Sequence, residues 1–439
     1  MSRTFAHSLA AFPLRLVFVN FLGILGCSLI RFDERLRHRT VPVFSCLLIL
    51  AVALTAIPTR AQAGPSSSPA SFADLSTRAN TARDANRLEL AVGLYRRALA
   101  LRPRWVEGWW SLGTIEYDQN DYASAARAFE KVRALDSKAG TARVMLGLCK
   151  FELGQDDSAL KYIEEGKAIG IADDPQLWHV MLYHEGVLLQ RRGRFESAQE
   201  SLVRVCADGV EDDNVTRALG MTALRMSGKD APVEGSPGAS VVSGVGRAQC
   251  MAARRKFDEA RENFAAVEKN YPQYPNLHYA YGRFLIEVND TAGAVQEFQQ
   301  EIQNNPDHIF ALLQIAAVKY RVDSQGGLPY AEQAVKRNPQ MPLAHYLLGL
   351  LLVDTHDYAR AVPELETAQR AFPQEAKVYF ALAAAYAHTG RPDEAARAKA
   401  TFLRLNQQTV AAPNVYGQER PGVEREMLGK EPEARIPQR

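Results

Sequence analysis

Between Pro275 and Pro306 the apolar positions fall at helical spacing twice. Tyr281, Gly282 and Leu285 line one side of a first segment, and Ala294, Phe298 and Ile302 one side of a second. Asn289-Asp290-Thr291 breaks the pattern between them with turn-forming and capping residues. Asn304-Asn305-Pro306 ends the second segment, because proline cannot extend a helix and restricts the residue before it. The pattern predicts helix, turn, helix. Neither helix buries its stripe alone, so copies must stack.

The copies are present. Prolines recur as Pro272, Pro306, Pro339 and Pro373, and a small residue recurs as Ala260, Ala294, Gly327, Ala361 and Ala395, all at steps of 33 or 34. In the first half Ala91, Ala125 and Ala159 keep the same step, as do Gly113 and Gly147. A fixed period of this length marks a helical solenoid, in which each unit contacts chiefly its neighbours. Units are expected at about 72–105, 106–139, 140–178 and 179–211, and again from 241 to 408. Ile169–Pro175 is read as a long closing loop of the third unit. The period fails between Ala198 and Ala260, where residues 213–227 read as a helix and Gly228–Gly244 as a Gly/Pro/Ser-rich loop. Such a loop is either a joint between two sub-arrays or a ligand-contacting segment. The expected organisation is an N-terminal segment (1–63), a linker (64–71), a first array (72–211), an irregular stretch (212–240), a second array (241–408) and a polar tail (409–439).

The repeated residues resemble the tetratricopeptide repeat family over most of 72–408. The resemblance rests on Trp109-x-x-Leu112-Gly113 with Ala125 and Phe129, on Leu348-Gly349 with Ala361, Leu365, Ala368 and Pro373, and on Tyr379, Leu382, Tyr386 and Ala395. It implies an all-α fold, an α-solenoid of about nine helix pairs wound as a right-handed superhelix. The motif is a packing motif: small residues let helices approach and aromatics fill the adjoining space. It specifies a fold and leaves function open.

Composition adds limits. Hydrophobic content of 47% is ample for a core, and the net charge of +2 conceals an asymmetry. Residues 1–63 hold seven Arg and two acids, leaving 45 basic against 48 acidic residues beyond them. A near-neutral solenoid without a basic stripe argues against nucleic acid as a partner. Residues 41–57 form an uncharged apolar run, preceded by a basic stretch and followed by Ala61-Gln62-Ala63. That layout predicts a secretory signal cleaved after Ala63, with an uncleaved membrane anchor as the alternative. Either places the repeats outside the cytoplasmic membrane, with membrane contact only through this segment.

No catalytic constellation emerges. His184-Glu185 begins like a zinc-protease motif but lacks the second His one turn on. Gly228-Lys229 and Gly244-Val245-Gly246 are incomplete phosphate-loop and dinucleotide signatures. The remaining histidines lie singly within repeats and read as surface or packing residues. No cofactor or metal is expected. Cys149 and Cys250 read as small buried hydrophobes, and a Cys206–Cys250 bridge is possible but not indicated by spacing.

A partner would bind elsewhere on the array. Each first helix carries a second stripe about 100° from its packing stripe. In the family resembled, first helices line the concave side, so this stripe is expected to form a groove. Its members are Trp110, Tyr117, Phe151, Tyr183, Tyr279, Arg283, Tyr320, Tyr346 and Phe380. An aromatic wall with scattered positive charge suits a protein or peptide with apolar anchors. The same residues could equally pack between neighbouring first helices. The expected function is a non-enzymatic scaffold, with a membrane-anchored assembly component that oligomerises as the alternative.

Overall fold

A computed structural model describes residues 71–210 and 212–411; the stretch read as an N-terminal signal or anchor, most of the linker and all but the first three residues of the polar tail lie outside them. The described residues form nineteen α-helices, and no strand occurs among them. They divide into two compact units at Ser137/Lys138.

The first unit contains α1 (Phe72–Asp84), α2 (Leu88–Leu101), α3 (Val106–Asp118) and α4 (Tyr122–Leu135), packed as two pairs. Its core gathers Leu75, Ala79, Leu94, Tyr95, Leu112 and Ile115. Tyr95 is wholly buried and donates to Asn80 Oδ1 at 2.7 Å, so the interior hydroxyl stays satisfied.

The second unit contains α5 (Gly140–Glu152), α6 (Asp156–Ile169), α7 (Pro175–Arg191), α8 (Phe195–Ala207), α9 (Asp213–Ala223), α10 (Pro237–Ala253), α11 (Phe257–Asn270), α12 (Leu277–Glu287) and α13 (Thr291–Asn304). It continues as α14 (Ile309–Lys319), α15 (Ser324–Arg337), α16 (Pro342–Asp354), α17 (Tyr358–Ala371), α18 (Ala376–His388) and α19 (Pro392–Ala411). Several pairs turn on one device. After α12, Asn289 adopts a left-handed φ of 61°, its N–H bonds Ile286 O and the N–H of Asp290 bonds Leu285 O. This is the Schellman closure of a helix end. Asp290 then caps α13 by accepting from Gly293 N at 3.0 Å. Asn120-Asp121 and His356-Asp357 repeat the arrangement.

Within a pair, a small residue on the first helix meets a large one on the second. A Cβ placed on Gly282 would lie 2.6 Å from the Phe298 ring, one on Gly349 2.6 Å from Leu365, and one on Gly186 2.5 Å from Leu202. The prolines at the ends of second helices have a further use. Six residues after four of them, a side chain reaches back to the proline carbonyl: Trp109 Nε1 to Pro103, His278 Nε2 to Pro272, His345 Nε2 to Pro339 and Tyr379 Oη to Pro373, all at 2.7–2.9 Å.

Two segments differ from the sequence expectation. Pro175 opens α7 instead of closing a loop, because proline is preorganised for the first helical position and Asp174 caps the N–H groups of Gln176 and Leu177. The stretch read as a loop to Gly244 likewise becomes helical at Pro237, capped by Ser236. Its glycines serve contact: a Cβ on Gly246 would lie 1.9 Å from Thr216 O, and one on Gly220 2.0 Å from Val242 O. Backbone therefore crosses backbone where α9 meets α10. Across the irregular stretch, α9 packs on both α8 and α10 inside one unit. Cys206 and Cys250 form a disulfide from α8 to α10, with Cα atoms 5.1 Å apart. Sequence spacing gave no sign of it.

Candidate partner-binding cleft

The odd helix α9 makes a chemically distinct place in the second unit. A cleft there is lined by Phe195, Glu196 and Gln199 from the start of α8, Arg225 just beyond α9, Gln249 of α10, and Tyr279 and Arg283 of α12. Arg225 holds the left-handed turn position (φ 54°) that asparagine fills after α3 and α12. From it the guanidinium pairs with Glu196 at 2.6 Å and lies over the rings of Phe310 at 3.8 Å and Phe195 at 5.0 Å. Both members of the pair are largely buried. Glu196 Oε1 takes this bond, while Oε2 is buried and accepts none. Gln199 donates to Gln249 Oε1 at 3.1 Å, which ties α8 to α10 beside the cleft.

Arg283 lies deeper, with a long 3.5 Å bond to Tyr279 Oη. Burial opposes its charge, but Tyr279 and Glu196 outweigh burial and hold its pKa above the usual arginine value. The neighbouring His308 shows the reverse. Its Nδ1 accepts from Ala311 N at 2.9 Å and its Nε2 faces Asn276 Oδ1 at 2.9 Å, the bonding of a neutral ring. Burial and the Arg225 charge lower its pKa to about 4.

The nine residues expected to line one groove have different environments. Tyr279 and Arg283 meet in the cleft, and Phe151 and Tyr183 flank His184 with ring centroids 4.6 and 5.1 Å away. Arg191 lies over Phe151 at 4.7 Å, and burial pushes the Tyr183 hydroxyl up to about 12. Trp110 is half-buried, edge-on to Phe129, and Tyr320 is half-buried under Arg321. Phe380 is 54% exposed against Phe402. Three are corrections. Tyr117, Tyr279 and Tyr346 are buried, Tyr279 at 2% exposure and Tyr346 at 0%, so their rings are core. The cause is the closeness of neighbouring first helices, which places the second stripe between them.

Sequence reading missed Glu196, Arg225 and Gln249, none of which stands out in the repeat period. Arginine also holds the left-handed turn at Arg255 and Arg321, so the turn position alone does not single out Arg225. The zinc-protease-like pair is structural. Glu185 binds Lys167 at 2.7 Å and Ser201 at 2.8 Å, and His184 is buried with its pKa lowered to about 4.

Fold and cleft together define a helical repeat scaffold. The tetratricopeptide repeat profile matches residues 76–129, 111–174, 252–309 and 346–401. The chain belongs to the tetratricopeptide repeat family. It is 26% identical over 132 residues to anaphase-promoting complex subunit 3 of Schizosaccharomyces pombe, a match spanning 30% of this chain and only 20% of that protein. Among solved structures, it resembles a MamA RS-1 double mutant (21% identity, TM-score 0.36, 38% of this chain and 95% of that one). It also resembles MamA from Desulfovibrio magneticus RS-1 (22% identity, TM-score 0.34, 38% of this chain and 94% of that one).

Proposed function

We propose that this chain is a scaffold outside the cytoplasmic membrane that binds a protein or peptide partner at the cleft around Arg283. The observation that carries the binding reading is the cleft's charge arrangement. Arg283 is a cation with one long bond, Glu196 Oε2 is an acceptor left over, and aromatic rings stand beside both. Such a site suits a polar anchor group flanked by apolar ones, since arginine and aromatic residues dominate binding energetics. The relative's name, a subunit of a complex, agrees with a role in protein assembly. For location, the support is the signal-like run before Ala63 together with the Cys206–Cys250 disulfide, a bond that persists in oxidising compartments. Among the described residues, no helix is long and apolar enough to cross a membrane, so any anchor would lie before them.

Affinity capture from an envelope extract, using the full chain and its Arg283→Gln variant, tests the binding reading. A partner held by the native chain and lost from an equally folded variant is the expected result. Equal capture by both would remove the cleft from the binding surface. Location is tested by acid-quenching cells and alkylating thiols: a fully oxidised Cys206–Cys250 pair is expected, and a reduced pair would overturn the placement.

A further inference from the structure

His278 stands in the first turn of α12 with both ring nitrogens engaged. Nε2 lies 2.7 Å from Pro272 O, which also accepts from Asn304 Nδ2 at 3.0 Å. A carbonyl has no proton to give, so Nε2 carries the hydrogen. Nδ1 is left facing two carboxylates, Glu297 Oε2 of α13 at 2.7 Å and Glu268 Oε1 of α11 at 3.7 Å. The three ligand atoms, one from each side chain, lie within 4.8 Å of one another. His278 is buried, and the opening to solvent is on the Glu268 side, whose side chain is 30% exposed against 15% for Glu297.

The array supplies its own control. Two units on, His345 Nε2 faces Pro339 O at 2.9 Å and Nδ1 pairs with Glu364. Pro272, His278 and Glu297 thus map onto Pro339, His345 and Glu364 at one constant separation, but Glu268 maps onto Val335. The carbonyl–histidine–carboxylate bond therefore belongs to the fold, and the third ligand was added at one unit alone. Adding it has a cost: burial and the Glu297 charge both disfavour ionised Glu268 and raise its pKa.

We propose that Glu268, His278 and Glu297 form a binding site for a divalent transition metal, zinc by preference, which joins α11 to the α12–α13 pair. Imidazole nitrogen with carboxylate oxygen is a donor set that zinc accepts, with water completing four-coordination from the Glu268 side. A ligand histidine ordinarily donates its other N–H to an outer acceptor, here Pro272 O. Donor atoms around tetrahedral zinc stand roughly 3.3 Å apart. Glu268 Oε1 is near that separation from Nδ1 already, Glu297 must swing out from it by about half an ångström, and the two carboxylates must close to it from within 4.8 Å. Metal uptake displaces the Nδ1 proton to solvent, so binding tightens as pH rises.

The test uses the full chain, stripped with a chelator and titrated with cobalt(II), then zinc. One equivalent of cobalt should give the visible absorption of a four-coordinate site, bleached by zinc, with zinc also raising the melting temperature. Glu268→Val, the residue present at the equivalent position two units on, should keep the helical signal and weaken metal binding by about 100-fold or more. Glu268→Gln serves if the valine variant misfolds, and Glu364→Gln should bind as the native chain does. Absence of the cobalt spectrum in the native chain, or binding that survives both Glu268 variants, overturns the proposal and leaves the cluster as a proton-bridged ion pair.

Discussion

Replacing Tyr279 and Tyr346 by serine removes two phenol rings from the interior of the second unit. Tyr279 is in contact range of Phe298, His308 and Phe310, with ring centroids 5.9, 4.8 and 6.5 Å away, and Arg225 lies 5.8 Å from its ring. Tyr346 has no exposed surface and packs near Phe372 at 6.3 Å. Truncating a buried aromatic costs about 3–5 kcal/mol, from lost transfer energy and the cavity left behind. The two rings belong to different core clusters, so their effects should add to about 6–10 kcal/mol. The assay is urea denaturation followed by far-UV circular dichroism, with hydrogen exchange read separately over 277–304 and 342–371. A repeat array loses structure locally, so exchange should rise in each segment when its own tyrosine is changed. A combined loss below about 1 kcal/mol with unchanged exchange would refute the reasoning, since that is the outcome for surface side chains.

Gly282→Ala places a Cβ 2.6 Å from the Phe298 ring, so α12 and α13 must separate. The expected loss is about 1–3 kcal/mol, read from the same urea titration. His184 and His308 are neutral when folded, each with a pKa lowered to about 4 chiefly by burial, against about 6.5 when unfolded. The unfolded chain therefore takes up protons first as pH falls, and stability is lost between about pH 6.5 and 4, by roughly 2 kcal/mol for each histidine at pH 5. His308→Asn keeps a capping acceptor for α14 without a titrating ring, so its acid sensitivity should fall by one histidine's share in urea midpoints compared at neutral and acid pH.

The repeat was legible because packing imposes it at every turn. Gly282 opposite Phe298 and Asp290 at the head of α13 are forced by helix contact and helix ends, and both forces leave residue types at a fixed period. The cleft was not legible for the same reason. Arg225, Glu196 and Gln249 come from separate helices and owe their meeting to α9, which breaks the period instead of following it. Burial along the second stripe was not legible. Phe380 is exposed where the stripe predicts, but Tyr346 on the same stripe is buried, because sequence gives the direction of a side chain and not the distance to the next helix.

Chemistry in such an array is to be sought where one unit departs from the others. In a regular unit a polar residue is explained once its copy in the next unit makes the same bond, as His345 does for His278. Departures lack that explanation. Arg225 is a turn arginine whose guanidinium pairs with a buried glutamate, and Glu268 stands where the following units have Ile302, Val335 and Gln369. Both lie in the stretch from α8 to α13, where the disulfide and the odd helix α9 also fall. Each carries a buried or half-buried charge that packing alone would not select, since an apolar residue at either place would avoid the desolvation cost. The unequal units, more than the shared motif, are therefore where partner and metal selectivity should reside, and exchanging them for regular ones should remove function while sparing the fold.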